Sequence, residues 1–204
     1  MIEITFVCCI EYGALEDQTL LMLRSLRRYG GALSNAPVLA VQPRRGPALR
    51  PSTVSELASL GTTLVVDPKR SSLQWFNFAN KIAAVQIAQE QASTPLVAWL
   101  DSDVFVAAPP LELVLEDGED FAARAEFLPP AVRQNDPTHV PYWRALCDLM
   151  GVDFDAVPSL YVDHRDEHIR MYFNSGVFSW RRTSSFARLY VEFFERLIDR
   201  KSVV

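Results

Sequence analysis

The chain has 204 residues, 49% of them hydrophobic and 22% charged, a length and balance that suit one soluble domain with a substantial core and exclude a disordered chain. A formal net charge of -5 argues against a broad nucleic-acid-binding surface. No apolar stretch is long enough to span a bilayer, and Ile4 to Ile10 lacks the basic start and length of a signal peptide, so a cytoplasmic location is expected. Cys8 and Cys9 are neighbours in a predicted strand and Cys147 is alone on a predicted helix, which offers no disulfide framework and suits small core residues in a reducing compartment.

Strand and helix patterns alternate along the first half. Ile2 to Ile10 reads as a strand. Leu15 to Tyr29 reads as a helix with Glu16 and Asp17 in its first turn, arginines toward its end and Gly30 as its stop. Val38 to Val41 is a short second strand, followed by a turn containing Arg44 and Arg45, which, like Arg181 and Arg182, are expected at solvated corners. Thr53-Val54-Ser55-Glu56 has the form of a capping box for a helix ending at Gly61. Thr62 to Val66 is a third strand, Trp75 to Gln91 a long helix, and Pro95 to Leu100 a fourth strand. Such alternation predicts an α/β fold, a mainly parallel sheet flanked by helices, with a less regular second half. There, Phe121 to Phe127 reads as a strand, Pro141 to Met150 as a helix, Met171 to Trp180 as a strand broken by a polar triplet, and Ser184 to Arg200 as an amphipathic helix. One domain over 1–204 is expected, in two halves over 1–106 and 107–204.

The run Leu96-Val97-Ala98-Trp99-Leu100-Asp101-Ser102-Asp103 carries the chemistry. An apolar strand stops at two carboxylates one residue apart, and in a continuing strand Asp101 and Asp103 would share a face roughly 7 Å apart. Hard cations such as Mg²⁺ and Mn²⁺ take oxygen ligands and are commonly held by one or two carboxylates plus substrate phosphates. The motif therefore predicts a divalent metal and a diphosphate substrate, at the carboxyl edge where open α/β sheets bind ligands. Asp153-Phe154-Asp155 repeats the spacing, but after Gly151 and before Pro158 it reads as a loop or cap. In Phe173-Asn174-Ser175-Gly176-Val177 the glycine suits a bulge or a close approach by a ligand, and the Asn offers both donor and acceptor.

With these two motifs in place, the chain resembles a GT-A-fold glycosyltransferase that uses a nucleotide-activated sugar, most closely the retaining enzymes of family eight and their relatives. The resemblance implies transfer of a sugar from a nucleoside-diphosphate sugar to the hydroxyl of a saccharide or other acceptor. It implies that Asp101 and Asp103 hold Mn²⁺ or Mg²⁺ against the donor diphosphate, with Ser102 between them in the donor site. It gives the nucleoside to the loop after the first strand, here Cys9, Ile10, Glu11 and Tyr12. It brings Lys81 to the donor, with Asn80 beside it, and sets Glu126, Asn174 and Gly176 beside the transferred sugar, with Arg124 on the same strand face as Glu126. Retention is implied; inversion would need a carboxylate base, for which Glu126, Asp163 and Asp166 are candidates.

Relatives of that kind continue into an Asp-Gln-rich segment and a later metal-binding His. This chain stops at Lys201-Ser202-Val203-Val204, which reads as a C-terminally incomplete acceptor half, a minimal variant or an inactive relative. A noncatalytic nucleotide-sugar-binding domain is therefore an alternative reading. A rival of another class is a zinc metalloprotease: His164-Arg165-Asp166-Glu167-His168 has the His-x-x-Glu-His pattern, which on a helix would place His164 and His168 on zinc with Glu167 as base. The strand predicted just after it argues against that.

Overall fold

Three apolar strands make the centre of the fold: β1 (Ile4–Cys9), β2 (Val38–Gln42) and β4 (Leu96–Leu100) are buried along nearly their whole length. Such uninterrupted burial belongs to parallel strands covered on both faces. In the computed structural model, which describes residues 2–71, 73–126, 133, 134, 136–162 and 166–199, β3 (Thr62–Val66), β2, β1 and β4 are parallel neighbours. Beyond β4 the sheet continues with β8 (Phe173–Arg181), antiparallel to it, and β5 (Phe121–Ala125), in the order β3-β2-β1-β4-β8-β5. The α/β fold with a mainly parallel sheet is thus as read from the sequence.

The chain falls into two compact units. The first comprises 1–122 and 176–188, so it runs past Asp103 and takes back the second part of β8; the second comprises 123–175 and 189–204. In the first unit α1 (Ala14–Tyr29) buries Thr19, Leu20, Leu23 and Leu26 at helical spacing. The three leucines, with Leu57 of α2 (Pro51–Ser59), pack against Ile4, Phe6, Cys8 and Ile10 on one face of the sheet. The opposite face receives α3 (Ala79–Gln91), whose buried Ala79, Ala83, Ala84 and Ala88 let the helix lie close to β1, β2 and β4. Gly30 ends α1 because a Cβ there would come within 2.4 Å of the Leu26 carbonyl oxygen.

Three local expectations are corrected. α2 starts at Pro51, not after a Thr53 cap, because Pro fits the first helical position and holds Arg50 extended before it. α3 starts at Ala79; the aromatic run from Trp75 forms turns, with Phe76 N–H donating to the Leu73 carbonyl and Ala79 N–H to that of Phe76, and it leaves Trp75 and Phe78 exposed. Of the four arginines expected at solvated corners, Arg45 is exposed, but Arg44, Arg181 and Arg182 are not. Arg181 donates to the carbonyls of Glu116 and Glu119 at 2.8 and 2.9 Å, Arg182 reaches that of Gln89 at 3.3 Å, and Arg44 enters the site described below.

In the second unit α4 (Val140–Met150) ends at Gly151 in the left-handed conformation, φ 68°. It is followed by a hairpin of β6 (Ser159–Val162) and β7 (Glu167–Arg170). The last helix is α5 (Phe186–Asp199). Glu167 and His168 are successive residues of a strand, pointing to opposite faces, so the helix on which a zinc-protease reading depends is not formed. His164 and Asp163 lie outside the described residues.

Candidate functional site

β4 ends at Leu100, and the motif itself is a turn: Val104 N–H donates to the Asp101 carbonyl at 3.1 Å. Asp101 and Asp103 are therefore the first and third residues of a β-turn, not successive same-face residues of a continuing strand as the sequence suggested. The Asp101 N–H still completes the sheet pattern by donating to the Gly176 carbonyl at 2.8 Å. The turn lies at the carboxyl end of β4, beside the carboxyl end of β1.

Strand alternation aims Trp99 and the Asp101 side chain toward the α3 face. Trp99 stacks on Phe178 with centroids 6.3 Å apart and donates its indole N–H to Asp101 Oδ1 at 2.7 Å. From the first turn of α3, Lys81 places Nζ 3.0 Å from Asp101 Oδ1 and 3.3 Å from Oδ2, and 5.2 Å from the Trp99 ring centroid. Asp101 is thus a two-thirds-buried carboxylate held by an indole N–H and an ammonium, whereas Asp103 is exposed.

These groups line an open cleft of about 280 Å³. Its walls include Cys9, Glu11, Gln18, Asn77, Phe78, Asn80, Lys81, Trp99, Asp101, Ser102 and Asp103. Seven of the residues singled out in the sequence therefore come together: Cys9, Glu11, Asn80, Lys81, Asp101, Ser102 and Asp103. Ile10 is fully buried in the core and offers no side chain to the cleft. Tyr12 is exposed and lines an adjacent depression with Glu11, Arg44 and Pro47.

The end of the cleft at Glu11 contains a network that sequence reasoning missed. Arg44 clamps both carboxylate oxygens of Glu11, with Nη2 2.7 Å from Oε2, and Nη1 donates to Asn77 Oδ1 at 2.6 Å. Asn80 donates from Nδ2 to Glu11 Oε1 at 3.0 Å, while its Oδ1 is buried with no hydrogen-bond partner among the described residues. Arg44 and Glu11 are 33 residues apart, and nothing local marks the pair; only the adjacency of the β1 and β2 ends brings them together. Burial, with Cys8 and Glu11 adding, pushes the Cys9 thiol well above the ordinary range, which disfavours the thiolate.

Among the described residues no three His, Cys, Asp or Glu side chains gather as a closed metal cage. Two neighbouring carboxylates on a solvent-facing turn fit a hard cation that keeps waters and takes further oxygens from its substrate, and they do not fit a structural zinc.

Asn174 and Glu126 belong to the second unit, where Asn174 Nδ2 donates to Glu126 Oε2 at 3.4 Å and Glu126 N–H donates to the Tyr172 carbonyl at 2.9 Å. Gly176 belongs to the first unit, through its carbonyl on Asp101.

A family model described as the Rhodobacterales glycosyltransferase domain matches residues 6–204. The chain belongs to that family. No curated protein matches it. Among solved structures this glycosyltransferase domain is similar to the glycosyltransferase GlyE of Streptococcus pneumoniae TIGR4, with 17% identity, TM-score 0.53, and coverage of 97% of this chain and 39% of that one. It is also similar to the bifunctional glycosyltransferase WbbM, with 13% identity, TM-score 0.53 and coverage of 96% and 36%. Core-mannan synthase A of Aspergillus fumigatus, in its Mn/GDP form, gives 13% identity, TM-score 0.55 and coverage of 100% and 65%. The domain therefore spans about two fifths of the length of GlyE, and the shared feature is the GT-A fold. Among the described residues no helix is long and apolar enough to cross a membrane.

Proposed function

We propose that this glycosyltransferase domain transfers a sugar from a nucleoside-diphosphate sugar to an acceptor hydroxyl, with Mn²⁺ or Mg²⁺ at Asp101 and Asp103. The carrying observation is the cleft at the carboxyl ends of β1 and β4. It combines a carboxylate turn, an ammonium and a buried orphan acceptor, Asn80 Oδ1, in a member of a glycosyltransferase family. The Mn/GDP form of the similar core-mannan synthase supports the same ligand class.

In this reading Asn80, Glu11 and Tyr12 receive the nucleoside, with Cys9 and Ile10 shaping the loop beneath it, and Asn80 Oδ1 takes a hydrogen-bond donor from it. A cation bound at Asp101 and Asp103 would supply Lewis-acid neutralisation of the departing diphosphate. Trp99 fixes the rotamer of Asp101 so that one oxygen keeps lone pairs toward the cleft, and Ser102 adds a hydroxyl between the two carboxylates. Glu126 and Asn174 are assigned the role of stabilising the positive charge of an oxocarbenium-like transition state while the acceptor attacks. Retention is proposed on the sequence resemblance to family eight and requires no base at the acceptor.

The test is thermal melting of the protein with UDP or GDP, with and without Mn²⁺, since a ligand that binds only the folded state raises the melting temperature. Mn²⁺-dependent stabilisation by one of the nucleotides is expected, and its persistence in Asp103→Ala would refute the metal site. Asn174→Ala separates enzyme from binding domain: donor hydrolysis should fall about 100-fold while nucleotide affinity holds. A lowered melting point with normal specific activity would instead make Asn174 structural.

A further inference from the structure

The ion pair inside the cleft bears on the order in which ligands enter it. Lys81 covers both oxygens of Asp101, at 3.0 and 3.3 Å, with its side chain only 13% exposed. Its ammonium lies 5.2 Å from the centroid of the Trp99 ring, whose N–H also holds Asp101 Oδ1. Asp103, the second carboxylate, is exposed, and no third acidic, His or Cys side chain converges on the pair among the described residues. A cation arriving alone would thus meet one exposed carboxylate and one already neutralised by an ammonium that repels it.

We propose that Lys81 is an exchangeable counter-ion: it holds Asp101 when no donor is bound and moves to the donor's diphosphate when the cation takes its place. This rests on the proposed function and adds an order to it, with metal and nucleoside diphosphate entering together. Two carboxylates and one ammonium sum to one negative charge. A divalent cation alone turns this into a positive cleft, whereas a cation accompanied by a diphosphate brings it back to negative. The Lys side chain suits such an exchange because a flexible four-carbon stem carries a compact charge with three rotatable donors. The ammonium swings about this stem from carboxylate to phosphate.

The consequence is a pair of effects with opposite signs. Lys81→Met removes the competitor of the cation and also the cationic partner of the diphosphate. Mn²⁺ binding, followed by the electron paramagnetic resonance of the unbound ion, is measured on the full chain with and without UDP or GDP. In Lys81→Met we expect Mn²⁺ alone to bind about tenfold more tightly, and the enhancement of Mn²⁺ binding by nucleotide to drop about tenfold. By linkage, the enhancement of nucleotide binding by Mn²⁺ drops by the same factor. Lys81→Arg, which keeps the charge, should restore both toward the parent values. If Mn²⁺ alone binds Lys81→Met no better than the parent, while Asp103→Ala loses the metal–nucleotide coupling, the exchange is overturned and the metal site stands. If Asp103→Ala keeps that coupling intact, the metal site fails and the exchange fails with it.

Discussion

Asp101-Ser102-Asp103 and Asp153-Phe154-Asp155 have one spacing and two different surroundings. Asp153 caps a short 3₁₀ turn, accepting the Asp155 N–H at 3.0 Å, and the exposed Asp155 pairs with Arg144 at 3.0 Å. There the backbone and a surface arginine satisfy the carboxylates, as the sequence context implied. Asp101 instead ends a buried parallel strand, and its partners are side chains, Trp99 and Lys81, brought from the same face of the sheet. A carboxylate whose partners serve its own backbone is a structural cap. One that is oriented by a neighbouring indole, beside a cleft, is poised to take a ligand.

The largest effect that sets the two pairs apart is loss of metal-dependent nucleotide binding. Asp103→Ala should weaken Mn²⁺-dependent nucleotide affinity about 100-fold or more while leaving melting unchanged, because Asp103 is exposed and outside the core. Calorimetry with GDP and UDP measures it. A loss of equal size in Asp153→Ala would show that the wrong pair has been assigned.

Trp99→Phe sharpens the comparison, since it keeps an aromatic ring against Phe178 and removes the five-membered ring whose N–H holds Asp101. Removing an outer partner of a metal ligand typically costs 10-fold or more in affinity, so about a tenfold loss of Mn²⁺-dependent nucleotide binding is expected. The fold should lose about 1–3 kcal/mol, from the lost hydrogen bond and the space left by the smaller ring. Unchanged affinity in a well-folded Trp99→Phe would mean that Asp101 needs no orientation.

Glu16 is the counter-example in the same unit, a buried carboxylate that serves the fold. Its Oε1 accepts the Gly13 N–H at 3.0 Å and its Oε2 the Arg50 N–H at 2.9 Å, which ties the start of α1 to the start of α2. Burial pushes its pKa up, but hydrogen bonds from Thr53, Gly13 and Arg50 outweigh that and carry it from the ordinary 4.5 to about 2. A depressed carboxylate pKa adds stability that is fully present above the unfolded value, so this contribution should fade as pH drops from about 4.5 toward 2. Glu16→Gln should cost about 2 kcal/mol near neutral pH. It should also flatten the acid limb of a denaturation profile without altering nucleotide affinity per folded molecule.

Parts of this contrast were legible in the residues themselves. The run from Leu96 to Leu100 announced a strand covered on both faces, and the abrupt change to Asp101 marked the sheet edge. α1 was legible through its apolar stripe and Gly30. What stayed hidden depends on pairings distant in the chain: Arg44 with Glu11 and Arg50 with Glu16 join the ends of neighbouring elements, and no local pattern encodes them. The β6–β7 hairpin escaped because its strands, Ser159–Val162 and Glu167–Arg170, are short and mix polar with apolar residues, which gives little periodicity to read. The turn at Asp101 escaped for a related reason: β-propensity continues through Val104, Phe105 and Val106, while the hydrogen bond that closes the turn is a property of the backbone alone.

The smallest expected effect completes the contrast from the other side. Asp155→Ala removes an ion pair in which Asp155 is 70% exposed and Arg144 51% exposed. Exposed pairs contribute little because solvent and salt screen them and two long side chains lose freedom in making them. Arg144 also keeps a second partner, the Phe154 ring at 4.3 Å from its guanidinium carbon, so the arginine is not left stranded when the carboxylate is cut away. The expected loss is therefore roughly 0.5 kcal/mol at low salt, shrinking as salt is added, with Mn²⁺-dependent nucleotide affinity unchanged. Chemical denaturation at two ionic strengths measures the first and calorimetry the second. A salt-insensitive loss of several times that size would show that the second pair anchors its unit as Glu16 anchors the first.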